Sequence, residues 1–414
     1  MIQLPPSKSI GARFLVASYF SGTLPADPIY DENEDLMLLQ QALLEIYSDE
    51  EPIDFGDSQI DAGSSGTALR FVTAVCASSP GADYIITGTE RLMQRPMAPM
   101  IEILRKMGAG VQTLGENETG PYRVTGNKLE GGEFSIRGDI SSQFISALML
   151  VAPSWNKGMK LWFDTPLVSR PYVEMTARFM NLFGLEVKLN DAMVEVKPGK
   201  YHEPRGFQVE ADWSSASFFY EACSLGCKDV EIEGLIPPGD SLQGDSVTAT
   251  IFSKLGVTTS YDDKGVSLNS GGEKPERLEQ DFKDWPDLVL PVAVACLYGD
   301  VNFKFTGIAN LRVKESDRID SLISESLKLG FVVKADQNSI IWEGEKTEAT
   351  TDPVIDPHGD HRVAMSFAMV ALKTGMIKIS DPDVVRKSYI DFWNQLPELG
   401  LTCHQENNLM TISR

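Results

Sequence analysis

Residues 359–375 read GDHRVAMSFAMVALKTG. A glycine and an aspartate precede a histidine–arginine pair, and an almost unbroken apolar run follows. Such a run has no wet face, so it predicts a helix buried on all sides. Its start is the opposite: polar, charged, and placed where a helix leaves backbone N–H groups without intrahelical partners. Asp360 is a good acceptor for them.

The pattern recurs in both directions from this stretch. SSGTALRFVTAV (64–75), ISSQFISALMLVA (140–152), DWSSASFFYEACSLG (212–226) and DWPDLVLPVAVACLYG (284–299) share it. Taking Ser65, Ser142, Ser215, Asp287 and Asp360 as markers, the spacings are 77, 73, 72 and 73 residues. SKSIGARFLVASYF (7–20) is a sixth member, with Ser9 lying 56 residues before Ser65. A second series interleaves: amphipathic helices that end in glycine and lead into β-branched stretches. Its glycines are Gly108, Gly184, Gly256 and Gly330, and each suits the left-handed position after a helix. The chain therefore reads as six copies of a unit of about 72 residues, each with two helices and several short strands. A solenoid and two domains of three units both fit this periodicity, and 414 residues suit two domains of roughly 200.

A net charge of −22 and a pI near 4.6 argue against nucleic acid or an anionic membrane as partner. Any anionic ligand must meet cations gathered locally. The helix entries supply them: Lys8, Arg13, Arg70, Arg95, Arg170, Arg318, Arg362, Arg386 and Lys387 all stand beside such starts. Helix N-termini with nearby guanidinium groups make anion sites. Five cysteines, most of them in apolar runs, read as reduced core residues of a cytoplasmic protein. No apolar run is long enough to span a membrane, and the first residues make a poor export signal. DPHGDHR (356–362) gathers two histidines and two aspartates, but Arg362 would repel a cation and the spacing matches no metal motif, so no metal is expected. Phosphate-loop, dinucleotide and serine-hydrolase motifs are absent. Cofactor-free acid–base chemistry remains, with Glu315, Asp287, His361 and lysines as candidates.

Nine stretches, in order, carry a resemblance. They are LPPSKSIGAR (4–13), SSGTALR, TGTERLMQRP (87–96), GDISSQFISALML (138–150), LVSRPY (167–172), DWPDLVLPVA, NLRVKESDRI (310–319), GDHRVAMSFAMVAL and VVRKSYIDF (384–392). Together they resemble the 5-enolpyruvylshikimate-3-phosphate synthase family. The resemblance implies an α/β (α+β) chain with the two-domain enolpyruvyl transferase fold. Each domain would hold three repeated units with buried parallel helices and outer four-stranded sheets. The domains would be 9–210, and 1–8 with 211–414, with the active site in the cleft between them. It further implies a cytoplasmic monomer that needs no cofactor and uses shikimate 3-phosphate and phosphoenolpyruvate.

The resemblance also assigns roles. Lys8, Asp287, Glu315 and His361 would be catalytic, Glu315 moving the proton. Lys8, Ser9, Arg13, Ser141, Ser142, Gln143, Ser169, Tyr172, Asp287, Asn310 and Lys314 would bind shikimate 3-phosphate. Lys8, Gly66, Arg95, Gln143, Arg318, Arg362 and Lys387 would bind phosphoenolpyruvate. Arg312, Asp317 and Asp320 read as an ordinary solvated face. Three departures stand out: the strand that precedes LPPSKS in the family is largely missing, Gly11-Ala12 replaces Ser-Asn, and the first repeat is short. Two other readings share the motifs: a non-catalytic sugar-phosphate-binding homologue, and a transferase acting on UDP-N-acetylglucosamine.

Overall fold

Four of the six apolar helices link two strands that pair in parallel. A parallel pair needs a crossover connection, and the helix supplies it. The computed structural model describes residues 1–30, 33–48 and 58–414, and the chain divides into two units, Lys8–Val209 and Met1–Ser7 with Glu210–Arg414. Residues 49–57, within the short first repeat, lie outside the described residues.

Unit Lys8–Val209 holds α1 (Lys8–Ser21), α2 (Glu34–Ser48), α3 (Gly66–Ala77), α4 (Ala98–Lys106), α5 (Ser142–Val151) and α6 (Arg170–Leu182). One of its sheets contains β1 (Gln59–Asp61), β2 (Asp83–Thr87), β3 (Gly110–Thr113) and β4 (Tyr122–Thr125), in the order β1-β2-β4-β3. The other contains β5 (Gly132–Ile136), β6 (Met159–Phe163), β7 (Val187–Leu189) and β8 (Met193–Val196), in the order β5-β6-β8-β7. In both, α3 or α5 joins the parallel first pair, and an antiparallel hairpin completes the sheet.

The other unit repeats this plan with α7 (Trp213–Ser224), α8 (Thr248–Ser253), α9 (Val289–Tyr298), α10 (Arg318–Lys328) and α11 (His361–Ala368). Two of its sheets again have four strands. The first runs β12-β13-β15-β14, from β12 (Arg277–Asp281), β13 (Asn302–Thr306), β14 (Lys334–Ala335) and β15 (Ser339–Trp342). The second runs β16-β17-β19-β18, from β16 (Val354–Ile355), β17 (Met376–Ser380), β18 (Thr402–Glu406) and β19 (Leu409–Ser413).

One sheet departs from the expected four strands. It has three, ordered β10-β11-β9, from β9 (Val230–Glu233), β10 (Val257–Asp262) and β11 (Gly265–Ser270). The place parallel to β9 is taken by Ile2 alone. Its N–H donates to the Glu231 carbonyl at 2.7 Å, and its carbonyl accepts from the Glu233 N–H at 3.0 Å. Ile2 is itself buried.

The apolar helices are buried as their composition demands. Every residue of α7, and Val289 to Leu297 of α9, lies in the core. The four predicted glycines all have positive φ, from 81° to 100°, where a side chain would be strained. No helix among the described residues is long and apolar enough to cross a membrane.

Candidate active site

Two helix starts in unit Lys8–Val209 are capped by hydroxyls. Ser65 accepts from the Ala68 N–H, and Ser141 from the Gln143 N–H. Arg13 sits in α1 and is 4% exposed. Its guanidinium donates to Thr176 Oγ1 at 2.8 Å, the Ser9 carbonyl at 2.6 Å, and Ser146 Oγ and the Tyr172 carbonyl at 3.1 Å each. One side chain therefore ties α1, α5 and α6. Burial pushes its pKa down to about 9, so it stays charged at neutral pH. Lys8, the first residue of α1, pairs with the buried Asp35 of α2 at 3.0 Å.

Gly66 opens α3 beneath two guanidinium groups. A Cβ there would lie 2.5 Å from Arg70 Nη1 and 2.6 Å from Arg95 Nη1, so only glycine leaves both in place. Gln143 reaches across to Thr67 Oγ1 at 3.1 Å and joins α5 to α3. Ser169 holds φ at +53° just before α6. The predicted residues Lys8, Ser9, Arg13, Tyr172 and Gly66 thus fall into connected groups. Arg170 pairs with Glu174 and Asp191.

The second group lies in the other unit and is ionic throughout. Arg318 opens α10 and is 2% exposed. It donates to Asp360 at 2.7 Å, Asp287 at 2.8 Å and Glu315 at 3.0 Å. Asp287 also receives Arg362 at 3.0 Å and Lys314 at 3.5 Å, while Lys387 stands 3.4 Å from Glu315. Arg318, Arg362, Lys314 and Lys387 here face Asp287, Glu315 and Asp360. Burial alone would raise the Asp287 carboxyl, but Arg362, Lys314 and Arg318 outweigh it and hold the group well below the usual carboxylate range. Burial likewise opposes the Arg318 charge, and Asp360, Glu315 and Asp287 overcome it and hold that charge firmly. Asn310 Oδ1 is buried with no hydrogen-bond partner among the described residues. It is an acceptor suited to a ligand hydroxyl.

One expectation needs adjustment. Asp287 does not cap its helix; it lies in a 3₁₀ turn, Pro286–Leu288, that runs into α9. That turn aims its carboxylate at Arg318 and Arg362. His361, predicted as catalytic, is 1% exposed, with Nδ1 3.7 Å from Asp360. Arg312 pairs with Asp317 and Asp320, the solvated face that was expected.

Asp35, Thr67, Ser146 and Thr176 were not foreseen. Ser146 and Thr176 carried a faint signal, being hydroxyls inside otherwise buried helix faces. Asp35 carried none, because its relation to Lys8 exists only once α1 and α2 pack together.

A family model described as EPSP synthase (3-phosphoshikimate 1-carboxyvinyltransferase) matches residues 39–396. A 3-phosphoshikimate 1-carboxyvinyltransferase of Bacteroides fragilis is 39% identical over 402 residues, covering 96% of this chain and 95% of that protein. One from Idiomarina loihiensis is 34% identical over 352 residues, covering 84% and 80%. The EPSP synthase structure from Acinetobacter baumannii superposes with a TM-score of 0.69 at 24% identity, over 99% of this chain and 96% of that one, and so shares the fold. With a model spanning most of its length and relatives this similar end to end, the chain belongs to the EPSP synthase (3-phosphoshikimate 1-carboxyvinyltransferase) family.

Proposed function

We propose that this protein transfers the enolpyruvyl group of phosphoenolpyruvate to the 5-hydroxyl of shikimate 3-phosphate and releases phosphate, in the cytoplasm, without metal or cofactor. Both residue groups are taken to serve this one reaction. The Arg318 network carries the reading: a buried guanidinium orients Asp287 and Glu315 beside Arg362, Lys314 and Lys387. Such a site holds anions and moves protons at the same place.

Shikimate 3-phosphate is assigned to Arg13, Ser9, Ser141, Ser142, Gln143, Ser169 and Tyr172, with Asn310, Lys314 and Asp287 at its hydroxyls. Phosphoenolpyruvate is assigned to Lys8, Gly66, Arg95, Gln143, Arg318, Arg362 and Lys387. The 5-hydroxyl oxygen attacks C2 while Glu315 gives C3 a proton. Cations drawn to the incoming anions loosen their hold on Asp287, which makes it a better base for the hydroxyl proton. The tetrahedral adduct then loses phosphate by C–O cleavage as Glu315 takes a proton back from C3, and the proton held by Asp287 leaves with the phosphate.

The test is a phosphate-release assay. Release should require both substrates and persist in EDTA. A folded sample that binds shikimate 3-phosphate without turnover would make the protein a binding homologue. Release that instead requires UDP-N-acetylglucosamine would move it to the other transferase.

A further inference from the structure

We infer that Glu325 is a positioning residue for the anion-binding arginines, and that it acts by fixing the turn 356–359. The inference rests on the phosphoenolpyruvate roles proposed above for Arg318 and Arg362.

Glu325 lies in α10, seven residues after Arg318. Two helical turns put both side chains on one face, about 10 Å apart along the axis. That face runs along the segment from Val354 to Arg362. Arg318 grips its far end through Asp360 at 2.7 Å. Glu325, 1% exposed, grips its middle: it accepts from the Asp356 N–H at 3.0 Å and from His358 Nε2–H at 2.9 Å. Lys328 closes the near end, donating to Glu325 at 2.6 Å and to the Val354 carbonyl at 3.0 Å.

The turn so held is not one the backbone takes unaided. His358 has φ of +53°, where a β-carbon is crowded, and its N–H is tied to Asp356 Oδ1 at 2.7 Å. Two residues later comes Asp360, which orients Arg318, and then Arg362, which reaches Asp287. A buried carboxylate that touches none of the reacting groups, yet holds the strained turn that delivers them, has a positional task. Solvent could not replace it, because the carboxylate is enclosed.

The test compares KM for each substrate in Glu325→Gln, His358→Gly and Arg362→Ala with the unaltered enzyme. His358→Gly removes the ring but tolerates the positive φ, so it remains informative should the buried substitution fail to fold. Glu325→Gln should raise KM for phosphoenolpyruvate roughly tenfold and His358→Gly roughly threefold, with KM for shikimate 3-phosphate within about twofold. A purely structural role would lower the melting temperature and leave both KM values unmoved in the folded fraction; that result overturns the inference if Arg362→Ala still raises KM for phosphoenolpyruvate. Should Arg362→Ala also leave that KM unmoved, the inference falls together with the cradle it rests on.

Discussion

Arg13, in the second turn of α1, and Arg318, the first residue of α10, both carry buried guanidinium groups, and their surroundings are opposite. Arg13 is held by two hydroxyls and two carbonyls. Arg318 is held by three carboxylates. A charge held by neutral acceptors keeps its field and can meet an anionic ligand without first giving up a partner. A charge ringed by carboxylates has little field left, and what it provides is their orientation. The two units therefore divide the work physically, one holding the Arg13 charge among neutral groups, the other a network in which Asp287 is kept ionised and its neighbouring carboxylates are aimed.

The largest effect that could break this division concerns Glu315. If the Arg318 network is there for proton transfer, Glu315→Gln should lower kcat by about 10²–10⁴ while each KM stays within about threefold. Steady-state kinetics with both substrates decide it. An unchanged kcat would return the network to a purely structural role.

Replacing each arginine by methionine sharpens the contrast in stability. Arg318→Met leaves the buried Asp360 and the half-buried Asp287 and Glu315 without their shared cation, and should cost about 3–5 kcal/mol in denaturant unfolding. Arg13→Met strands nothing comparable. Ser146 and Thr176 already bond each other at 2.9 Å, and the Tyr172 carbonyl also accepts from Thr176 at 2.8 Å. Its stability should move by about 1 kcal/mol or less, while binding of shikimate 3-phosphate weakens. Equal losses in the two variants would erase the distinction between the sites.

How much of this was legible in the sequence follows the range of each interaction. Ser65, Ser141, Asp212 and Asp360 cap the helices that begin beside them, because a cap is decided within three residues. Gly108 and Gly330 take positive φ because the helix end beside them requires it. The 73-residue spacing becomes one sheet order repeated four times, because in each of the four an apolar helix must return the chain to a parallel neighbour. Arg318 and Asp360 are 42 residues apart, and Arg13 and Thr176 are 163 apart. At that range nothing local selects the partner. The residue types in "RVKESDR" and "GDHR" announced an ionic site, but the choice between a cation facing a ligand and one facing a carboxylate is made only by packing. The resemblance supplied the roles; it said nothing of Asp35, Ser146 or Glu325.

A third carboxylate extends the comparison within one unit. Glu221 in α7 is 0% exposed, and neither oxygen has a hydrogen-bond partner among the described residues. Where Asp287 has cations and is held low, Glu221 has none, and burial pushes its carboxyl well above the usual 4.5. The two therefore bend stability in opposite directions with pH. Asp287 contributes stability that is present above about pH 4 and is lost as pH falls towards its lowered folded value. Glu221 keeps a proton in the fold that the unfolded chain has released, so stability falls by about 1.4 kcal/mol per pH unit from about pH 4.5 towards its raised folded value. Glu221→Gln removes that slope. Unfolding at pH 5 should differ little between variant and parent, and the variant should gain stability over its parent as the pH is raised to 7. A variant no more stable at pH 7 than at pH 5, relative to its parent, would mean that Glu221 finds a partner when ionised, and the contrast with Asp287 would then be one of degree.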